Sequence, residues 1–272
     1  MQRNLCLALT ILLFAPVPGR TQELPDAPGE RAPAGAAPAV TSVFPIGENL
    51  EYSVHFGPFR VGRGVMRIAG LEAVRGQPAA HAQFEITGKA LWYSVHDMLE
   101  SWFDPEHFVS YRFHKDIKQS TDSRQEHYEI FPDQGTFSQD ERPPEPTSPD
   151  PLDDVSFLYF VRALPLAVGD RLELNRYFKP KHNPVKVVVI GRETIEVTAG
   201  TFACFVLHPE LPERGIFKKG SDAKIWISDD DRRLVVRVST KLPFGSLHLK
   251  LTKVSGAPGG VLQAGGGQSQ RP

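Results

Sequence analysis

With only two cysteines in 272 residues, the chain has little scope for covalent cross-linking. Cys6 lies in an apolar run near the start, so removal of that run leaves Cys204 alone and excludes an internal disulfide. Cys204 sits in Phe202-Ala203-Cys204-Phe205-Val206-Leu207, apolar on both faces, and is expected to be a buried small hydrophobe; a reactive thiol needs an electropositive, partly exposed setting. Charge of one sign is also missing. Thirty-one Lys and Arg stand against 32 Asp and Glu, a net charge of -1, with no long block of either sign, which excludes bulk attraction to nucleic acid. Long hydrophobic runs are absent too. Leu5 to Ala15 is too short to span a bilayer, and with Arg3 before it and Val17-Pro18-Gly19 after it reads as a signal peptide over residues 1–19. Cys6 begins that run, where lipidation would need it at the end, and no transmembrane segment is left after cleavage.

Enzymatic motifs are scarce. There is no Gly-x-Ser-x-Gly elbow, no His-Glu-x-x-His and no phosphate-binding glycine loop. The nine histidines are scattered, so neither a metal nor a cofactor is expected. Asp229-Asp230-Asp231 lacks the alternation, glycine and distal Glu of a calcium loop and reads as a charged turn.

What is present is strands. Residues 20–43 are rich in Pro, Ala and Gly and form a leader without structure, and residues 255–272 read as a disordered tail. Between them, residues 44–254 read as a single β-rich domain. Leu50, Tyr52, Val54 and Phe56 alternate with polar neighbours, the period of a half-buried strand. Similar runs begin near Arg60, Ala80 and Tyr111, and a hairpin is predicted across Pro132-Asp133-Gln134-Gly135. Residues 91–104 read as irregular chain followed by a strand from about Met98. Later strands are predicted at 171–178, 185–190, 193–197, 202–208, 223–228, 234–241 and 246–254. One helix is predicted over residues 153–164, capped by Asp153 or Asp154, halted by Pro165 and apolar nearly all round, so it should be wrapped by protein. The expected fold is all-β: an antiparallel barrel or half-barrel of roughly ten or more strands with this one short inserted helix.

An ordered series of segments resembles the family called domain of unknown function 3108, a set of exported bacterial proteins. The pieces are Gly47-Glu48-Asn49-Leu50-Glu51-Tyr52, Glu100-Ser101-Trp102-Phe103-Asp104, Asp154 to Arg162, Leu164 to Asp170, Gly191-Arg192-Glu193-Thr194 with Gly200-Thr201-Phe202, and Ile225 to Asp230. The proline that the family carries after the Trp-containing strand is absent from Arg233-Leu234-Val235. The resemblance implies a curved sheet with a helix against its concave side and no established activity. Proteins with loosely similar half-barrels carry lipids or lipoproteins or serve polysaccharide export, an analogy of fold alone.

Arg162, inside a nearly all-apolar helix, must find a carboxylate or carbonyls. Glu48, Glu100, Asp154 and Glu193 are its candidate partners, and Arg162, Tyr159, Trp102 and Trp226 are the candidate ligand-binding residues. Asp97, Glu100 and Asp104 beside Trp92, Tyr93 and Trp102 allow a glycosidase reading, set against core aromatics with rim charges. Two basic loops, one with Arg176, Lys179, Lys181 and Lys186 and one with Arg214, Lys218, Lys219 and Lys224, are interleaved with Tyr177, Phe178, Ile216 and Phe217. They suit anionic headgroups or acidic polysaccharide, or simply solvate long hairpins. The expectation is a non-enzymatic exported protein, periplasmic or secreted, that carries an amphiphilic envelope component such as a lipid or lipid-linked glycan. A scaffold that meets an envelope-assembly protein and a glycan hydrolase are the other classes considered.

Overall fold

A computed structural model describes residues 45–90, 93–210, 222–242 and 245–256. The segments expected to be a signal peptide, a leader and most of a tail, together with Trp92 and the second basic loop apart from Lys224, lie outside the described residues. The strands are β1 (Asn49–Phe56), β2 (Phe59–Val74), β3 (Gln77–Ala90), β4 (Tyr93–Phe103), β5 (Ser110–Gln119), β6 (Asp122–Phe131), β7 (Thr136–Gln139) and β8 (Glu145–Pro146), then β9 (Arg171–Leu174), β10 (Val185–Val197), β11 (Gly200–Glu210), β12 (Lys224–Ser228), β13 (Val235–Leu242) and β14 (Gly245–Ser255). The one α-helix among the described residues, α1 (Ser156–Ala163), separates β8 from β9.

All fourteen strands form one antiparallel sheet in the order β8-β7-β6-β5-β4-β3-β2-β1-β14-β13-β12-β11-β10-β9. The sheet does not close on itself, and β8 and β9 are its edges. The chain after β8 meets the chain after β9 instead: Leu152 bridges Tyr177 in parallel, its N–H donating to the Arg176 carbonyl and its carbonyl accepting from Phe178 N–H. Thr147 and Ser148 hydroxyls donate to the carbonyls of Phe178 and Tyr177 across the same seam. These bonds explain why the strand predicted over 171–178 ends at Leu174: its last residues lace the gap between the edges.

Three further elements differ from expectation. β4 starts at Tyr93, where irregular chain was predicted. Its inward set includes Asp97, which hides the alternation, but Asp97 is satisfied by Gln119 Nε2 at 2.6 Å and Lys118 N–H. The separate strands expected at 185–190 and 193–197 are one strand, β10, which passes through Gly191 by a register shift. The helix is also shorter than predicted. Asp153 stands before it, its Oδ1 accepting from Val155 and Ser156 N–H at 2.8 and 2.9 Å while Ser156 Oγ accepts from Asp153 N–H.

α1 spans the concave side from one half of the sheet to the other. Near its start Asp153 meets Ser101 and Ser110, and near its end Arg162 meets Glu48 and the β12–β13 turn. Between them Tyr159 packs on Phe103 and Phe160 on Phe108, with ring centroids 5.6 and 5.8 Å apart. Because every residue of the helix from Ser156 to Arg162 is buried, it acts as a plug within one continuous core. Its contacts lie at the end of the sheet that carries the β2–β3, β4–β5 and β12–β13 turns; the β1–β2 and β5–β6 turns lie at the far end.

Candidate functional site

The strand registers set the inner wall beyond the plug. Leu50, Met66, Phe84, Leu99, Lys115 and Glu126 stand opposite one another in sequence from β1 to β6 and form one rung. The rung changes character along its length. Leu50 and Met66 are buried, Phe84 and Leu99 are half-buried against the core, and Lys115 and Glu126 bring opposite charges. The next rung toward the far end repeats the change, with Tyr52, Gly64, Ile86, Asp97, Ile117 and Arg124.

Ionisable groups on this wall are tied together. Lys115 Nζ donates to Asp154 Oδ2 at 2.6 Å and Tyr177 OH donates to Asp154 Oδ1 at 2.7 Å. Tyr128 OH donates to Glu126 at 2.7 Å and accepts from Lys179 Nζ at 2.9 Å. Burial, and then the neighbouring charge of Lys115, lowers the Lys179 ammonium to about 8. Burial pushes the Asp97 carboxyl up, although Gln119 and Lys118 oppose it. Asp154 is held below the usual range because Lys115 and its other donors outweigh burial. A chain of this kind, apolar at one end and cationic and acidic at the other, suits a ligand that is itself two-sided.

The candidate residues fall in three places. Arg162 is wholly buried and forms a bidentate pair with Glu48, 2.7 Å from Nη1 and 2.8 Å from Nη2, while Nε donates to the Arg233 carbonyl at 2.8 Å. Tyr159 lies beside it, with the Arg162 guanidinium 5.3 Å from its ring centre. Trp102 and Trp226 point the other way, on the outer face. Trp102 stacks on His81 with centroids 4.2 Å apart and donates from Nε1 to Glu72 at 2.7 Å. Trp226 donates to Glu193 at 2.8 Å under the Arg237 guanidinium. Of the four carboxylates considered for Arg162, Glu48 is the one that meets it; Glu100 is held by His81 and Gln83, Asp154 by Lys115, and Glu193 by Trp226.

Strand alternation also separates the acidic cluster. Asp97 faces in, Glu100 faces out toward His81, and Asp104 sits in the β4–β5 turn, accepting from Glu106 and His107 N–H. Two carboxylates flanking one glycosidic bond are not assembled from these three. Cys204 is 1% exposed and its thiol is pushed up to about 12, chiefly by burial. In the first basic loop, Arg176 donates to the carbonyls of Asp150, His107 and Phe108, and Lys186 pairs with Glu173. Asp230 Oδ1 accepts from Ser228 Oγ and from the N–H groups of Arg232 and Arg233, a staple for the turn. Lys115 and Glu126 were not singled out from sequence as site residues, and Lys179 was named only as part of the first basic loop. A lysine in the apolar set of Phe113 and Ile117 was the available signal.

A fourteen-stranded open sheet curved around a buried helix defines a barrel-like all-β protein with a plugged concave side. Residues 51–252 match the family described as "Protein of unknown function (DUF3108)", and the chain belongs to that family. No curated protein sequence matches it. The fold is similar to that of a β-barrel-like protein of domain of unknown function DUF1849 from Brucella abortus, at a TM-score of 0.51 and 9% identity over 77% of this chain and 97% of that one. A protein described as a candidate lipoprotein from Parabacteroides distasonis aligns at a TM-score of 0.38 and 12% identity, over 79% of this chain and 99% of that one. A candidate exported protein with a YmcC-like fold from Bacteroides fragilis aligns at 0.31 and 12% identity, over 80% and 100%. Among the described residues no helix is long and apolar enough to cross a membrane.

Proposed function

We propose that the protein is an exported, non-enzymatic binding protein that carries an amphiphilic component of the cell envelope, a lipid or a lipid-linked glycan, on the concave side of its sheet. The observation that carries this reading is the inner-wall rung from Leu50 to Glu126, which passes from buried apolar side chains through the half-buried Phe84 and Leu99 to Lys115 and Glu126. The plug fixes one end of the curved sheet, so an acyl chain would lie along Phe84, Ile86 and Leu99 and a polar head would meet the charged strands β5 and β6. Uptake of a fluorescent fatty acid or phospholipid tests this. Leu99→Glu should weaken uptake by at least about tenfold, the worth of burying one leucine side chain against the ligand, while the circular dichroism of the fold is kept. Undiminished uptake by that variant would contradict the placement.

A further inference from the structure

The outer face of β13, β14, β1, β2 and β3 carries a row of cations with no acid in it. Arg237 stands opposite Lys250, Lys250 opposite Ser53, Ser53 opposite Arg63 and Arg63 opposite Thr87. The neighbouring row toward the far end runs Ser239, His248, His55, Arg60. Like charges directly opposite on one sheet face oppose pairing. Arg237 is partly offset by Glu193, which holds the Trp226 ring beneath it, and meets His248 at 3.2 Å, so the uncompensated part of these rows is Lys250, Arg63 and Arg60. Lys89 joins them beyond Thr87. Arg60, Arg63 and Lys89 are exposed and line an open recess of about 450 Å³ whose other walls are Val61, Gly62, Thr87 and Gly88.

Main chain forms much of that recess. A Cβ on Gly62 would lie 2.1 Å from the Thr87 carbonyl oxygen, so glycine is what lets β2 and β3 approach this closely behind the recess. Arg63 Nε donates to Thr87 Oγ1, and the two carboxylates in the next row of the same face are engaged elsewhere, Glu85 within ion-pair reach of His96 at 3.3 Å and Glu51 with Lys253 at 3.4 Å. Among the described residues no carboxylate pairs with Arg60, Arg63, Lys89 or Lys250. The local field is positive in effect: burial and then Lys250 and Arg60 hold the His55 imidazole below its ordinary range, as burial, Arg237 and Lys250 do for His248. Beside the recess, where the β1–β2 turn meets the far end of the sheet, Phe59 is 71% exposed. A large aromatic left in water next to unpaired cations has the composition of a membrane-interface anchor and not of a merely solvated face.

We propose that this basic band, with Phe59 at its end, docks the protein on the surface of an anionic phospholipid bilayer. The proposal deepens the carrier reading, because it sets the end of the inner wall opposite the plug against the source of the ligand. Phe59 favours a bilayer over a soluble polyanion, which offers an aromatic side chain no apolar layer to enter.

Sedimentation of the mature chain with vesicles of phosphatidylcholine, alone or mixed with phosphatidylglycerol, tests it. Binding should appear with the anionic vesicles and fall as salt is raised. Arg60→Gln, Arg63→Gln and Lys89→Gln together should weaken it about a hundredfold, with each cation contributing about fivefold, and Phe59→Ser should weaken it further. Equal binding to neutral vesicles, binding undiminished in the triple variant, or capture by soluble dextran sulfate without vesicle binding would overturn it. Uptake of a fluorescent fatty acid without vesicles should be unchanged in the triple variant, so a failure of docking and a failure of the carrier reading separate cleanly.

Discussion

Arg162→Met lowers the free energy of unfolding by about 3–5 kcal/mol, the range for removing one partner of a buried ion pair. The guanidinium is wholly buried, and its bidentate contact with Glu48 is supplemented by the carbonyls of Arg233 and Arg232. Without it, Glu48 remains as a carboxylate only 4% exposed with its charge uncompensated. Glu48→Gln should cost less, since two carbonyls still accept from Arg162. The double variant Glu48→Leu with Arg162→Met should recover much of the loss, because it removes both desolvated charges together. Urea denaturation of the four proteins measures this cycle. A loss below about 1 kcal/mol for Arg162→Met would mean that the pair is not the clamp between helix and sheet.

Asp153→Ala should cost a similar amount, about 3–5 kcal/mol, for a different reason. This carboxylate is fully buried and accepts from two hydroxyls, Ser101 at 2.6 Å and Ser110 at 2.8 Å, and from the N–H groups of Val155 and Ser156. Alanine would leave the start of the helix uncapped and strand donors from two strands in the core. Burial raises the carboxyl from 3.8 to about 6 against the pull of those donors. A folded-state value above the unfolded one means that the folded protein holds the proton more tightly. The contribution of Asp153 is therefore fully present below about 4 and is lost as pH rises through about 6. The stability difference between wild type and Asp153→Asn should narrow over that window. A difference that widens from pH 4 to 6 would reverse the sign of the burial effect.

These two residues also mark how far the sequence can be read. A lone arginine in an apolar helix announces that it needs a partner, and Asp153 announces a cap, because both demands are local. Naming Glu48 among four carboxylates is not local: the pair is 114 residues apart and depends on where β1 starts relative to the helix. Strands with clean alternation, such as β1, were legible. β4 was obscured because Asp97 occupies an inward position, and the continuity of β10 because Gly191 breaks its period. The faces of Trp102 and Trp226 were hidden for a related reason. Ser101 and Phe103, on either side of Trp102, are buried as well, so burial along the chain gives no alternation to read. The graded inner wall was beyond reach, since it exists only when five strand registers are in place, and within its own strand only Lys115 stands out.

Native mass spectrometry of the full chain purified from a bacterial host, before and after solvent extraction, tests the proposed carrier role most directly. A protein that holds an amphiphile along Phe84, Ile86 and Leu99 should show a bound species that disappears on extraction and returns when lipid is added. The same apo mass in both samples, with no uptake of added lipid, would contradict it.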